Sequence, residues 1–162
     1  MKVYIIAAIS ADGFIAKKND QLVDWTSKED KKFFSDMTKK SGVIVLGGNT
    51  FRTFKALLPD RKHIVYTKGS VDNPEVEATS EEPRKLIDRL ENEGFDELAI
   101  CGGSSIYSLF LDAGAVTDVY LTIEPLIFGE GVKLFSSNSN VKLKLLSVKN
   151  LNENTLLVHY KV

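Results

Sequence analysis

The chain has 162 residues, with 21 Lys and Arg against 22 Asp and Glu, so its formal net charge is −1. With 43 % hydrophobic and 27 % charged residues it excludes a disordered chain, reads as one domain over 1–162, and has no basic excess for nucleic acid. Its longest apolar run, Val3 to Ile9, is far below the roughly 18 residues that span a bilayer, and no signal-peptide cleavage pattern follows it. The single Cys101 has no disulfide partner in the chain, so a reducing cytoplasmic compartment is expected.

The first segment, Lys2-Val3-Tyr4-Ile5-Ile6-Ala7-Ala8-Ile9-Ser10, is apolar and rich in β-branched residues, as in a strand buried on both faces. Ala11-Asp12-Gly13 punctuates it, and Lys17-Lys18-Asn19-Asp20-Gln21 reads as an exposed loop. Thr26-Ser27-Lys28-Glu29 is a T-x-x-E capping box with Thr26 as the cap, which predicts a helix. Phe33, Phe34 and Met37 give that helix an apolar face, and Ser41-Gly42 ends it. Three short apolar runs follow at 43–46, 63–67 and 98–101, closed by Gly47-Gly48, Lys68-Gly69 and Gly102-Gly103. A helix is expected over 80–92, with Pro83 in its first turn and Leu86, Ile87 and Leu90 on one face. Another should run from Ser104 to about Leu111. The tail is strand-like at 118–128, 141–149 and 155–162. Buried strands alternating with helices predict a three-layer αβα fold with a mostly parallel central sheet. The tail predicts an antiparallel C-terminal hairpin at one edge.

In an open α/β sheet, ligands bind at the carboxyl ends of the strands, where these glycine pairs fall. Gly102-Gly103 before Ser104-Ser105-Ile106 combines close backbone approach with the unpaired N–H groups of a helix start, which suits a pyrophosphate; a tight turn with serine capping is the structural alternative. Asn49 and Thr50 after Gly47-Gly48 either cap a following helix or meet a phosphate, and capping is favoured in isolation. Thr67 and Lys68 are either a solvated strand end or a phosphate reader. Neither a G-x-G-x-x-G fingerprint nor a P-loop is present.

Asp30 stands on the apolar face, three, four and seven residues before Phe33, Phe34 and Met37. Such a carboxylate either complements the helix dipole or serves a buried site, since burial without partners is costly. Asp24 and Trp25 could line the same cavity, or Trp25 could staple the helix to the sheet. His63, His159 and Cys101 read as structural, and no metal-ligand spacing occurs.

Taken in order, these pieces resemble the dihydrofolate reductase superfamily, most closely the branch shared with the reductase domain of riboflavin biosynthesis. The resemblance runs from Val3 to about Phe135. It rests on Ala8-Ile9-Ser10-Ala11-Asp12-Gly13-Phe14-Ile15, Asp24-Trp25, Leu46-Gly47-Gly48-Asn49-Thr50-Phe51, Leu58-Pro59-Asp60-Arg61, Ile100-Cys101-Gly102-Gly103, and the run from Ile123 to Phe135.

The resemblance implies an NADPH site across the carboxyl edge of the sheet. Gly102, Gly103 and the helix start at Ser104, Ser105 and Ile106 would hold the pyrophosphate, with Gly47, Asn49 and Thr50 on the other side. Thr67 and Lys68 would meet the adenosine 2′-phosphate, and Ala8 and Ile15 would border the nicotinamide. Asp30 falls on the acid that binds the pterin ring, Phe34 on the aromatic beside it, and Thr122 on the threonine linked to that acid; Ala8 and Trp25 complete the substrate side.

Gly48 stands where a basic residue is usual, the loop before Trp25 carries Lys17-Lys18 without the usual Pro, and Glu124 to Gly131 follows the riboflavin-type pattern. The expected activity is hydride transfer from NADPH to a pterin or a riboflavin-pathway aminopyrimidine, with residues 16–23 as a lid. The alternatives are dihydrofolate reductase proper and a non-catalytic nucleotide- or pterin-binding protein. A homodimer is expected, since the tail presents a sheet edge open to a partner strand.

Overall fold

The computed structural model describes residues 1–19 and 21–162; Asp20, in the loop expected at 17–21, lies outside the described residues. The elements run in the order β1 (Lys2–Ser10), β2 (Phe14–Ala16), α1 (Lys28–Ser41), β3 (Val43–Gly47), α2 (Gly48–Arg52), β4 (Lys62–Tyr66), β5 (Val76–Thr79), α3 (Pro83–Asn92), β6 (Glu97–Ile100), α4 (Ser104–Asp112), β7 (Asp118–Glu124), β8 (Val132–Lys133), β9 (Lys144–Asn150) and β10 (Leu156–Lys161). Eight strands form one sheet in the order β5-β4-β3-β6-β1-β7-β10-β9. Neighbours are parallel from β5 through β7, then antiparallel from β7 to β10 and from β10 to β9. The mostly parallel sheet and its C-terminal hairpin are as the sequence predicts.

Alternation along β1 explains the layers. Val3, Ile5 and Ala7 join the cluster made with Leu86 and Leu90 of α3 and Ile106 and Phe110 of α4. Tyr4 and Ile6 point the other way, into the cluster that Phe33, Phe34 and Met37 of α1 cover. Each large side chain fully withdrawn from water contributes about 1.5–3 kcal/mol, so both faces of this strand hold the three layers together.

The structure corrects several local expectations. The cap of α1 is Ser27, whose hydroxyl accepts the Asp30 N–H at 3.2 Å; Thr26 precedes it and is buried. Gly42 ends that helix in the left-handed region at φ 68°, as expected. Asn49 and Thr50 cap nothing: they lie inside α2, which starts on Gly47 without a side-chain cap. Ser104 and Ser105 are likewise inside α4, and Gly103 is its uncapped start. The helix expected at 80–92 begins only at Pro83. Strand β5 and the small pair β2–β8 are additions to the sequence reading.

The β2–β8 pair closes over the ends of the parallel strands. It is held by Asp12, whose carboxylate accepts the N–H groups of Phe128 at 3.1 Å and Gly129 at 2.7 Å and the Ser10 hydroxyl at 2.6 Å. At the far edge, β9 leaves Leu145, Leu146 and Val148 exposed. No helix among the described residues is long and apolar enough to cross a membrane.

Candidate functional site

A cleft of about 1260 Å³ opens where β1, β3, β4 and β6 end. A single drug-sized ligand typically occupies roughly 300–1,000 Å³, so this cleft has room for two ligands side by side. The sequence-predicted residues Ala8, Ile15, Trp25, Asp30, Phe34, Gly47, Asn49, Thr50, Thr67, Lys68, Gly102, Gly103, Ser104, Ser105 and Ile106 all line it. Thr122 does not; it lies buried on β7, paired in register with Ala8, and acts on Asp30 from behind the wall. Asp24 is exposed and does not line the cleft.

The two ends of the cleft differ chemically. At one end, α1 presents Asp30, a residue only 8 % exposed, beside Phe34 and Trp25. Trp25 packs edge-on against Phe128, with ring centroids 5.0 Å apart. Burial pushes the Asp30 carboxyl above the ordinary carboxylate range; Thr122 and Thr26 draw it partly back, and the charge of Glu124 pushes it up again. The Thr26 hydroxyl lies in the field of this carboxyl without completing a hydrogen bond of its own.

At the other end the floor is backbone. The Gly47 N–H donates to the Gly102 carbonyl at 2.7 Å, which ties the two glycine turns together. Gly102 has φ 110°, a conformation a side chain would strain, and a Cβ there would also stand 3.0 Å from the Tyr107 hydroxyl. That hydroxyl donates to the Ile6 carbonyl at 2.9 Å and locks α4 beneath β1. With Gly103 as an uncapped start, the first N–H groups of α4 face the cleft without a side-chain acceptor.

Charge on the lining is one-sided. Lys18, Lys31, Arg52, Lys68 and Lys133 line the cleft, and among the described lining residues Asp30 is the one carboxylate. A chain of net charge −1 therefore concentrates positive potential here, which favours anionic ligands. Three buried polar atoms on residues of this lining, Trp25 Nε1, Thr26 Oγ1 and the Tyr66 hydroxyl, lack hydrogen-bond partners.

Arg52, Tyr66, Lys31, Lys133 and Phe135 are lining residues that the sequence reading does not assign to the site. Arg52 had a signal in the departure at Gly48: a Cβ built there lies 3.8 Å from Arg52 Nη1 and 3.8 Å from Thr67 Oγ1, so the guanidinium stands beside the place a basic side chain would leave from. The guanidinium also donates to the Asn49 side chain.

The residues set aside as structural are placed away from this chemistry or are inert. His63 is buried and its Nε2 accepts the Leu58 N–H at 3.1 Å, with burial lowering its pKa. His159 stacks on Tyr120 and meets Asp118 at 2.8 Å. Cys101 touches the cleft, but burial pushes its thiol well above the usual range, which disfavours the reactive thiolate. Among the described residues, no three His, Cys, Asp or Glu converge as a metal site.

Comparisons with known proteins bear on the family and the fold. A protein of Bacillus subtilis, the uncharacterized protein YwjB, is 30 % identical over 171 residues, spanning 98 % of this chain and 97 % of that protein. Among solved structures, a putative riboflavin biosynthesis protein from Shewanella sp. PV-4 superposes with a TM-score of 0.80 at 20 % identity, covering 99 % of this chain and 98 % of that one. A diaminohydroxyphosphoribosylaminopyrimidine deaminase/5-amino-6-(5-phosphoribosylamino)uracil reductase from Thermotoga maritima gives 0.79 at 18 % identity, over 99 % of this chain and 56 % of that one. At these identities the solved structures establish the shared fold. Residues 2–135 match the dihydrofolate reductase family, and the chain belongs to that family, with the riboflavin-type reductases as its structural neighbours.

Proposed function

We propose that residues 1–162 act as one domain, a cytoplasmic NADPH-dependent reductase that transfers hydride to a pterin or a riboflavin-pathway aminopyrimidine. The observation that carries this reading is Asp30, a buried carboxylate of raised pKa that shares one cleft with a glycine-floored, cation-lined arm.

The cleft's own features fit a phosphorylated dinucleotide. The uncapped start of α4 offers free N–H groups, and the Gly47 and Gly103 positions leave a cradle that side chains would fill. In this reading Gly47, Asn49, Thr50, Gly102, Gly103, Ser104, Ser105 and Ile106 hold the pyrophosphate. Thr67, Lys68 and Arg52 meet the 2′-phosphate, and Ala8 and Ile15 border the nicotinamide. When bound, the reduced nicotinamide supplies the hydride.

The chain's own work is binding, orientation and proton control. Asp30 binds the amino-pyrimidine edge of the substrate through paired hydrogen bonds. Because its pKa is raised, its protonated form persists to higher pH than an ordinary carboxyl, and it can pass a proton to the heteroatom bonded to the carbon that receives hydride, a ring nitrogen in a dihydropterin or the released ribosyl ring oxygen in a phosphoribosylamino-pyrimidine. Phe34 and Trp25 wall this end from water, Thr122 supports the acid from behind, and the β2–β8 roof covers it. Dihydrofolate reduction is the second reading, and the placement of Asp30 beside Phe34 favours it. The exposed face of β9 supports a homodimer joined at this edge.

Two measurements test the reading. NADPH fluorescence should saturate on titration with the protein, and absence of binding would end it. A parallel assay with dihydrofolate and 5-amino-6-(5-phosphoribosylamino)uracil should favour the pyrimidine; a clear preference for dihydrofolate selects the second reading.

A further inference from the structure

Glu124 ends β7 with its side chain buried, yet it does not line the main cleft. Its carboxylate accepts three hydrogen bonds from neutral donors: the Ser27 N–H at 2.8 Å, the Ser27 hydroxyl at 2.7 Å and the Thr155 hydroxyl at 3.0 Å. Ser27 is the cap of α1, and the same hydroxyl oxygen accepts the Asp30 N–H at 3.2 Å. A hydroxyl that donates to a carboxylate is polarised into a better acceptor, so the two bonds reinforce each other. A continuous line therefore runs from Glu124 through Ser27 to the backbone of Asp30.

The turn between β9 and β10 braces the same helix end. Asn152 donates to Glu29 at 3.1 Å, while its side-chain oxygen accepts the N–H groups of Asn154 and Thr155, each at 2.9 Å. Thr155 then closes onto Glu124. A cap needs only an acceptor, and a neutral glutamine offers one. The buried charge must do something more, because it costs desolvation and no cation is among its three partners.

We propose that Glu124 is a positioning residue for the reductase site, clamping the N-cap that holds Asp30 and bringing a negative charge against the cap that precedes it. The proposal rests on the reading that Asp30 acts on the substrate. The groups facing Asp30 are Thr26 ahead of α1, Lys31 on α1, Thr122 and Glu124 on β7, and Tyr107 on α4. Tyr107 is held neutral by burial, so the charged neighbours are Lys31 and Glu124, which act in opposite directions. Removing the negative partner leaves Lys31 unopposed, and Asp30 must then ionise at lower pH.

The test uses cofactor-free protein first. The Asp30 carboxyl-carbon resonance, assigned by its loss in Asp30→Asn, is titrated in wild type, Glu124→Gln and Ser27→Ala. The midpoint should fall measurably in Glu124→Gln and stay at the wild-type value in Ser27→Ala, which keeps the charge. Turnover then separates the two parts. Ser27→Ala should lose several-fold in kcat with little change in the cofactor KM, and the pH limb of kcat should move down in Glu124→Gln. An unchanged Asp30 midpoint in Glu124→Gln, or wild-type kcat in Ser27→Ala, overturns the proposal. If wild type binds no nicotinamide cofactor, the reductase reading fails separately, and the titration still decides whether Glu124 governs Asp30.

Discussion

Three glycines on the cleft floor make opposite predictions under the same substitution. A methyl at Gly47 would sit 3.0 Å from Ile106 Cγ1, so the Ile106 side chain, packed in the core on its other side, would have to shift. Overpacking of that kind costs about 1–3 kcal/mol. In a domain of this size each kcal/mol corresponds to roughly 2–4 °C, so Gly47→Ala should melt roughly 2–12 °C below wild type. A methyl at Gly48 meets only Arg52 and Thr67 at 3.8 Å, an ordinary contact, and replaces glycine in the first turn of α2. Gly48→Ala should therefore melt at or above the wild-type temperature. Gly103 has φ −80° and ψ −158°, which alanine adopts readily, but its methyl would approach Thr50 Oγ1 to 3.0 Å in the phosphate cradle. Gly103→Ala should stay within about 1 kcal/mol of wild-type stability while losing at least about tenfold in NADPH affinity, or about 1.4 kcal/mol. Thermal melts and fluorescence titrations on the three variants make the comparison. Equal NADPH affinity in Gly103→Ala and Gly48→Ala would refute the placement of the dinucleotide over these turns.

Asp30→Asn should bind NADPH as wild type does and lose most turnover; full activity would show that another group is the acid. The folded-state pKa of Asp30 is raised, so the folded chain holds this proton more tightly than the unfolded one, and the stabilisation this brings is lost as pH rises through the folded value. Asp30→Asn should therefore gain most in melting temperature over wild type at and above neutral pH, and a gain confined to acid would contradict the sign. Asp118 behaves in the opposite way: burial would raise it, but Thr117, His159 and Lys161 hold it down to about 2, so its stabilisation is present above 3.8 and lost as pH falls toward 2. Urea midpoints of Asp118→Asn should converge on wild type across that window. For the assembly, Val148→Glu on the exposed face of β9 should convert a dimer to a monomer in light scattering with the fold intact, and a monomeric wild type would remove the interface.

The parts legible in sequence are those where one local rule dominates. The buried runs of β1, β3 and β6 are continuous because both faces are covered, and the glycine pairs follow because the backbone must turn over a ligand-sized space. Asp30 is readable from spacing alone, since three apolar residues fix its face. The cap of α1 is not: Thr26 and Ser27 both satisfy the pattern, and the choice falls to Ser27 because Glu124, far along the chain, takes its N–H and hydroxyl. Strand β5, Val-Glu-Ala-Thr, has no apolar signature because it is an edge whose Glu77 pairs with Arg89 and Lys62. Arg52 and Tyr66 reach the cleft through the short helix α2 and the end of β4, and that proximity arises only from tertiary packing.

The roof over the cleft is built from two pieces of chain that are 116 residues apart where Phe128 donates to Asp12. Among the described residues neither piece pairs with the large sheet, and β2 pairs with β8 alone. A side chain at Gly131 would strike the Ala16 carbonyl, so the two pieces also fit each other sterically. They form a single structural unit despite their distance in sequence. A chimera that takes residues 1–24 from a relative should recover a closed cleft only when residues 125–135 come from the same donor, and a lengthened first loop should be accommodated only beside a matched second one.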